Sequence, residues 1–343
     1  MRYIGVDLHK RLVVVCVVEV QDGKRVVVER GRWSNQDTAG MEGFFRAQVP
    51  FQLVVESTSC YEWFVELAEP LADRVVLAHP RKLRVIAEST RKTDRLDAQV
   101  LAEFLALGMI PEAHRAPPRL REHRNLVRHR CFLKRRTTSL KNKLRWLVTR
   151  YNAVVRGLST VGGREHLRSL ALSPADRFVA EQLLAELDHY QGQIADLDRH
   201  LREFAKTAPA VEREARALLA TMPGMGPVTI DAVLCELGDV RRFRSQRQVV
   251  AYAGLAPGIR QSAGKTKQQS ITKEGSRLLR WALVEFAWRI VRQTRRWGFV
   301  YERLKQRRGA KRAIVAVARR LLGVIVALLR SGKAYSLASE LTA

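Results

Sequence analysis

Short apolar runs separated by turn residues alternate with helix-period segments through the first hundred residues. Tyr3–Leu8, Leu12–Val20 and Val26–Glu29 read as three successive strands, the last two joined by a turn at Gln21-Asp22-Gly23-Lys24. Asp37 to Ala47 has helical spacing, Gln52–Glu56 is a short apolar strand, Tyr61–Glu69 is helical up to Pro70, and Arg74–Ala78 is another strand. Helical pattern resumes after Pro80. From Asp94 to Leu107 it is clearly amphipathic, with Leu96, Val100, Leu101, Phe104 and Leu105 on the apolar side. Pro111, Pro117 and Pro118 end this part of the chain.

Three strands followed by helix, strand, helix, strand, helix is the order of an RNase H-like, RuvC-like α/β domain, here assigned to residues 1–112. Beyond it the pattern is helical. Residues 113–208 form a basic helical and coiled-coil region, in which Phe178, Leu183, Leu184, Leu187, Ile194, Leu197, Leu201 and Phe204 predict an antiparallel hairpin or coiled coil. Residues 209–343 form a mainly helical C-terminal domain. It opens on the turn Met222-Pro-Gly-Met-Gly-Pro227, whose Gly224 and Gly226 fit a helix-hairpin-helix-like turn offering backbone N–H groups to a phosphate. A helix follows over Ser245–Ala253, then a loop from Gly254 to Gln269, then a long basic helical end. The apolar segment Ala313 to Leu329 is broken by Arg319 and Arg320, too short and too charged to span a bilayer, and predicts a buried amphipathic helix.

Charge changes the picture most. The 343 residues carry 61 Lys+Arg against 34 Asp+Glu, a net charge of +27, which predicts a polyanionic partner, nucleic acid before a membrane surface. Hydrophobic content of 46% excludes a disordered basic tail. Between Arg115 and Arg150 thirteen Lys/Arg face one Glu, and Arg128, Lys134, Arg135 and Lys141 in that block are candidate phosphate contacts. From Arg277 to Arg320 fourteen Lys/Arg face two Glu, interleaved with Trp281, Trp288 and Trp297. Most of these tryptophans are expected in the core, with base stacking the lesser alternative. Cys16, Cys60, Cys131 and Cys235 are widely spaced, supporting neither a zinc ribbon nor a disulfide framework and fitting a reducing cytoplasm. Asp7 and His9 interrupt the first apolar run, so no signal peptide is read and a soluble cytoplasmic protein is expected.

Against this basic background four acids stand out. Asp94 and Asp97 lie three residues apart on one helix face, a repulsive arrangement unless a cation sits between them. Asp7 and Glu56 close apolar strands upstream, and an RNase H-like order brings all four to one end of the sheet. Hard oxygen ligands there suit Mg²⁺. Two such ions about 3.5–4 Å apart clamp the attacking and leaving oxygens of a phosphoryl displacement. Lys10 and His9 follow Asp7, while Arg91, Lys92 and Arg95 flank the expected metal and are the better candidates for phosphate contact.

The segment Gly258-Ile-Arg-Gln-Ser-Ala-Gly-Lys-Thr266 superficially resembles a Walker A loop. It encloses five residues between glycines where four are required and lacks a preceding strand, so nucleotide triphosphate binding is rejected. What remains is Ser262 bracketed by Arg260, Lys265 and Lys267, cations able to orient a phosphodiester. Lys273, Arg277 and Arg280 extend that basic surface.

Several motifs occur together and in order: Gly5-Val-Asp-Leu-His-Lys10, Val54-Val-Glu-Ser-Thr58, Lys92-Thr-Asp-Arg-Leu-Asp-Ala98, Pro223-Gly-Met-Gly-Pro227, Tyr252-Ala-Gly-Leu-Ala-Pro257, Gln261-Ser262 and Ile271-Thr-Lys-Glu-Gly-Ser-Arg-Leu-Leu-Arg280. Nearly the whole chain thereby resembles the DEDD insertion-sequence transposases (the IS-one-ten family), described as bridge-RNA-guided recombinases. The resemblance implies a RuvC-like domain with Asp7, Glu56, Asp94 and Asp97 as metal ligands, a coiled-coil insertion, and a C-terminal domain with Ser262 as nucleophile. Its hydroxyl would attack DNA and form a phosphoserine, splitting strand exchange into cleavage and rejoining. It also implies DNA and a structured RNA as partners and a dimer or tetramer of this chain. The family's serine is typically followed by glycine, whereas Ala263 intervenes here, and Ser270 is a second serine nearby.

Two alternatives use the same residues differently. A RuvC-like structure-specific endonuclease would employ the four acids with metal-activated water and leave no protein–DNA bond. A non-catalytic RNA- and DNA-binding protein would use them for structural metal only.

Overall fold

The computed structural model describes residues 1–58, 61–86, 94–262 and 265–336, with the side chains of 84–96 and 259–269 outside the description. The chain divides into two compact units, Met1–Arg115 and Ala116–Ala343.

The first unit is a five-stranded mixed sheet with helices on both faces. Its elements run β1 (Arg2–Leu8), β2 (Leu12–Gln21), β3 (Lys24–Ser34), α1 (Thr38–Gln48), β4 (Phe51–Glu56), α2 (Tyr61–Ala68), β5 (Arg74–Ala78), α3 (Pro80–Ile86) and α4 (Asp94–Ala106). The strand order is β3-β2-β1-β4-β5. The first three strands pair antiparallel and β1, β4 and β5 pair parallel, as the RNase H-like expectation requires. On one face Ile4, Val6, Val15, Leu53 and Val55 pack with Met41, Phe45 and Phe64 from α1 and α2. On the other, Val14, Cys16 and Val18 meet Ala98 and Ala102 of α4, while Val54, Val76 and Ala78 meet its Leu101 and Leu105. Burial on both faces is why β2 reads as an unbroken apolar run rather than an alternating one.

Strand β3 is longer than its apolar core predicts. Its side chains are largely exposed, and it is held at the sheet edge by register with β2 from Lys24 to Ser34. Backbone pairing extends it where hydrophobicity gives no signal. Its Lys and Arg residues suit an exposed edge, since charge there discourages further strand pairing.

Backbone approaches backbone closely between β1 and α4. A Cβ built on Gly5 would come within 2.0 Å of the Ala98 carbonyl oxygen and 2.5 Å of the Ala102 amide nitrogen. Both obstructing atoms are backbone, so only glycine lets the helix approach the strand this closely.

The second unit is mainly helical. It comprises α5 (Pro118–Thr149), α6 (Val161–Ser169), α7 (Pro174–Lys206), α8 (Ala210–Ala220), α9 (Pro227–Leu237), a single 3-10 turn (Val240–Arg242), α10 (Gln246–Tyr252), β6 (Pro257–Ser262), β7 (Lys265–Ile271), α11 (Arg277–Gln293), α12 (Arg295–Arg308) and α13 (Ala310–Ser331). Helices α5 and α7 form the expected antiparallel hairpin: Leu144 and Leu147 pack with Leu183 and Leu187 at one end, Val127 with Leu201 at the other. The expected loop from Gly254 to Gln269 is instead largely an antiparallel β-hairpin, with Gln261 opposite Thr266 and Ser262 opposite Lys265. The difference has a physical source: the sequence is polar along both strands, so no period-two apolar pattern marks them. Helix α13 packs its Ile314, Val317, Leu321 and Ile325 into the main core, as expected of a buried amphipathic helix. Among the described residues, no helix is long and apolar enough to cross a membrane.

Helix α9 is the centre of this unit, buried from Thr229 to Leu237 although it carries two acids. Asp231 is 3.0 Å from Nε2 of His123 on α5 and accepts from Arg216 of α8 at 2.6 Å. Glu236 accepts a two-point contact from Arg128 of α5, at 2.9 and 3.1 Å. These pairs satisfy charges that burial would otherwise penalise severely. Burial pushes the Asp231 carboxyl upward, but the hydrogen bond from His123 and the Arg216 charge outweigh it and hold the group below its usual range.

Two outcomes follow. Gly5→Ala should lower unfolding stability by about 1–3 kcal/mol through overpacking against backbone, read as a lower denaturant midpoint; an unchanged midpoint refutes the close-packing account. Asp231→Ala should cost about 3–5 kcal/mol at neutral pH. Because the folded-state pKa is depressed, that contribution is complete above the ordinary aspartate value and lost as pH falls through the folded one. The gap between wild type and variant should therefore narrow in acid, and a gap that widens would contradict the pairing.

Candidate functional site

Register builds the acidic end of the sheet. The last recorded β1–β4 pair is Val6 with Val55, so Asp7 and Glu56 are the next residues on two adjacent parallel strands. Parallel neighbours lie about 4.8 Å apart. Side chains alternate between faces, so Asp7 shares the face of Gly5, and Glu56 that of Val54, the face covered by α4. Ala98 is the residue seated over Gly5, and Asp97, exposed, immediately precedes it. Asp94 is the first residue of the same helix, its side chain outside the description. Strand register and the glycine contact thus bring Asp7, Glu56 and the first turns of α4 to one face of one sheet.

Asp7 is held from within its own turn. Its Oδ2 lies 3.0 Å from Nε2 of His9. The His9 backbone is fixed in turn, its N–H donating to Leu12 and its carbonyl accepting from the Asn35 side chain at 2.9 Å. Sequence reading gave His9 a weak claim and missed Asn35, whose role depends on the β1–β2 turn meeting the end of β3. It also missed His79, one residue beyond the Glu56–Ala78 pair, whose buried Nδ1 has no hydrogen-bond partner among the described residues. A histidine following a strand carries no motif, and only the sheet order puts it at this edge.

The donor chemistry fits a hard divalent cation, because partly exposed carboxylate oxygens at adjacent strand ends are what Mg²⁺ takes. The three described acids are not drawn together around a point. Among the described residues, no three acidic, histidine or cysteine side chains are close enough to hold a metal ion.

The expected nucleic-acid contacts fall into distinct settings. Lys10 is exposed beside the acidic edge, and Arg91, Lys92 and the side chain of Arg95 lie outside the described residues. On α5, Lys134 and Arg135 are exposed, whereas Arg128 is committed to buried Glu236. Lys141 is half-buried; burial first, then the charges of Lys134, Arg145 and Arg164, draw its pKa down. That repulsion marks a concentration of positive charge. Gly224 has φ of +80° and faces Arg289 and Gln293 too closely for a side chain. Gly226 caps α9 without a side-chain bond; Pro227 has no N–H, and the N–H groups of Thr229 and Ile230 donate to the Gly226 carbonyl, so this helix end has little to offer a phosphate. Glu285, Trp288, Arg289, Arg292 and Gln293 line a groove beside this turn. Lys273 and Arg277 are exposed, and Arg280 donates to the Ala253 carbonyl. Ser262 closes β6, and its side chain, with those of Arg260, Lys265 and Lys267, is outside the description. Of the three tryptophans, Trp297 is buried and bonded to Tyr335, Trp288 is partly buried against the core, and Trp281 is exposed.

Comparison with known proteins adds a family. Residues 216–302 match the model described as "Transposase IS116/IS110/IS902 family", and residues 4–153 match the DEDD transposase model of the IS110 type. A probable family 20 transposase of Pseudomonas aeruginosa is 28% identical over 97% of this chain and 98% of its own length. The transposase for insertion sequence element IS1111A of Coxiella burnetii is 25% identical over 98% of this chain and 91% of its own. A pilin gene-inverting protein of Moraxella bovis is 26% identical over 97% of both.

These matches correct the expected chemistry. The DEDD model spans residues 4–153, the part that contains Asp7, Glu56, Asp94 and Asp97, and the transposase relatives align over nearly the full chain. What they support is a DEDD, RuvC-like two-metal nuclease mechanism for transposition, not a covalent phosphoserine intermediate at Ser262. The nuclease alternative is thus the better reading. The chain belongs to the IS110/IS1111-type DEDD transposases, a family of phosphodiester-acting enzymes.

Proposed function

We propose that this transposase cuts DNA strands at the acidic end of its N-terminal sheet, by hydrolysis, with Asp7, Glu56, Asp94 and Asp97 as its working carboxylates. The observation that carries the reading is the placement of Asp7 and Glu56 on adjacent strand ends, on the face that α4 covers through the Gly5 contact. A divalent cation of the Mg²⁺ type, when bound, supplies Lewis-acid polarisation of the phosphoryl oxygens and neutralises developing charge. The chain's own residues do the rest. The four acids hold that charge, and His9 fixes the rotamer of Asp7 through its Nε2 contact. Lys10, with Arg91, Lys92 and Arg95, draws the scissile phosphate to the site. Water attacks phosphorus and releases a proton, the sugar oxygen leaves with the bonding pair and takes up a proton from solvent, and the cut ends become available for transposition.

The second unit is proposed to hold the polyanion. Residues 113–208 supply a basic helical hairpin. In residues 209–343 the Gly224–Gly226 turn faces a phosphate, while Arg260, Lys265 and Lys267 of the hairpin, with Ser262, Lys273, Arg277 and Arg280, border the duplex. Donor and target DNA are the polyanions this reading requires. A structured RNA is a further partner that the excess of cations would accommodate, and because transposition joins two element ends, a homodimer or tetramer is the expected assembly.

Asp7→Asn, Glu56→Gln and Asp97→Asn should each reduce Mg²⁺-dependent cleavage of DNA carrying the element's ends by about 10³-fold or more, with chelation doing the same to wild type. Each should leave DNA affinity within about twofold, a change of under 0.5 kcal/mol. Retained cleavage in all three variants would refute the site.

A further inference from the structure

Helix α5 runs 32 residues, and one of its sides packs on α7 and α9. A second, exposed side carries something the fold does not need. Phe132 is 47% exposed and Trp146 is 66% exposed, the two large apolar residues on an otherwise basic surface. At 3.6 residues per turn, positions 132, 135, 136, 139, 143 and 146 fall on one side of the helix, roughly 100° round from the buried row Leu133, Leu140, Leu144 and Leu147. Arg135, Arg136 and Lys143 are exposed within that stripe, and among the described residues none of the three has an ion-pair partner. Arg136 lies over the Phe132 ring at 5.2 Å, and His129 stacks on the same ring with planes 16° apart.

Exposing two aromatic rings has a solvation cost that a purely electrostatic surface would not incur. A helix meant only to grip duplex phosphates needs cations alone, since backbone contact carries no use for a ring. Rings alternating with cations match a different ligand. Every base has a π-face that stacks on an aromatic side chain, whereas bases in a duplex are already stacked on each other. The two rings are 14 positions apart, about 21 Å along the axis, a length spanned by roughly six stacked nucleotides at the 3.4 Å step of a nucleic-acid strand.

We infer that the outward stripe of α5 is a track for single-stranded nucleic acid, with Phe132 and Trp146 stacking unpaired bases while Arg135, Arg136 and Lys143 take the intervening phosphates. The inference rests on the nucleic-acid role proposed for this region and adds its substrate class: a strand with unpaired bases, DNA or RNA. Arg136 and His129 hold the Phe132 ring in place before the base arrives, which reduces the ordering cost of binding.

The test uses the full-length protein and three labelled probes of equal length: oligo-dT, oligo-U and a mixed-sequence duplex. Phe132→Ala/Trp146→Ala should weaken binding of at least one single-stranded probe by about 10- to 100-fold, as loss of stacked bases implies, and change duplex binding by less than about twofold. Phe132→Tyr/Trp146→Phe should restore single-strand affinity, a rescue that a merely structural role for the rings would not give in a probe-selective form. Which probe responds identifies the source: oligo-dT for a displaced DNA strand, oligo-U for an RNA. Equal losses on single-stranded and duplex probes would overturn the inference in favour of a general phosphate surface. So would unchanged affinity for all three, or a shift in sedimentation of the double alanine variant without any change in affinity, which would assign the rings to contact between copies. Circular dichroism melting of both double variants controls for folding. Asp97→Asn separates this inference from the cleavage reading: that variant should keep the single-strand preference whether or not it still cuts DNA.

Discussion

The approach of α4 to β1 at Gly5 is the constraint on which the N-terminal unit turns. A helix over a sheet ordinarily stands off by the thickness of two layers of side chains. Here the strand contributes no side chain at the crossing and Ala98 and Ala102 contribute the smallest, so backbone meets backbone. The consequence is positional. An acid at the first turn of the helix and an acid two residues along the strand are referred to the same short contact, and β4 adds Glu56 through its register with β1. A proposed site assembled from three separate segments needs such a fixed reference, since a shift of even 1 Å among catalytic groups is costly.

The second unit solves a different problem, packing a strongly basic chain around its own charges. Cations on α5 and α8 are spent internally on the acids of buried α9: Arg128 on Glu236, Arg216 on Asp231. Pairing of this kind is tolerated in the interior because each carboxylate is fully engaged, Asp231 by His123 and Arg216, Glu236 by two nitrogens of one guanidinium. It also sorts the arginines. Those turned inward hold α9, and with it the Gly224–Gly226 turn, in place; those turned outward, such as Arg135 and Arg136, are left for a polyanion. The same helix therefore performs structural work on one side and offers a charged, ring-studded surface on the other.

Much of this was legible in the sequence, for identifiable reasons. Strands buried on both faces write themselves as apolar runs, so β1, β2, β4 and β5 were visible to within two residues. The heptad-like leucines of α7 announced its partner. Elements held by backbone pairing alone were not visible: the ends of β3, and the polar β6–β7 hairpin, which reads as a loop. Buried Asp231 and Glu236 look like ordinary surface acids until their partners on distant segments, His123, Arg216 and Arg128, are placed beside them. The acids of the proposed site were legible because a carboxylate at the end of an apolar strand is conspicuous in a basic protein. The chemistry assigned to Ser262 had no such support from the residues around it, and it was this part that the family comparisons corrected.

The central claim is hydrolytic strand cleavage by the acidic end of the sheet, and the direct measurement is where the attacking oxygen comes from. Cleavage of the element's DNA ends by the wild-type protein, run with Mg²⁺ in water enriched in heavy oxygen, should place the label on the phosphate at the new strand end and leave no protein attached to DNA on a denaturing gel. An unlabelled phosphate accompanied by DNA covalently bound to the protein would contradict the account.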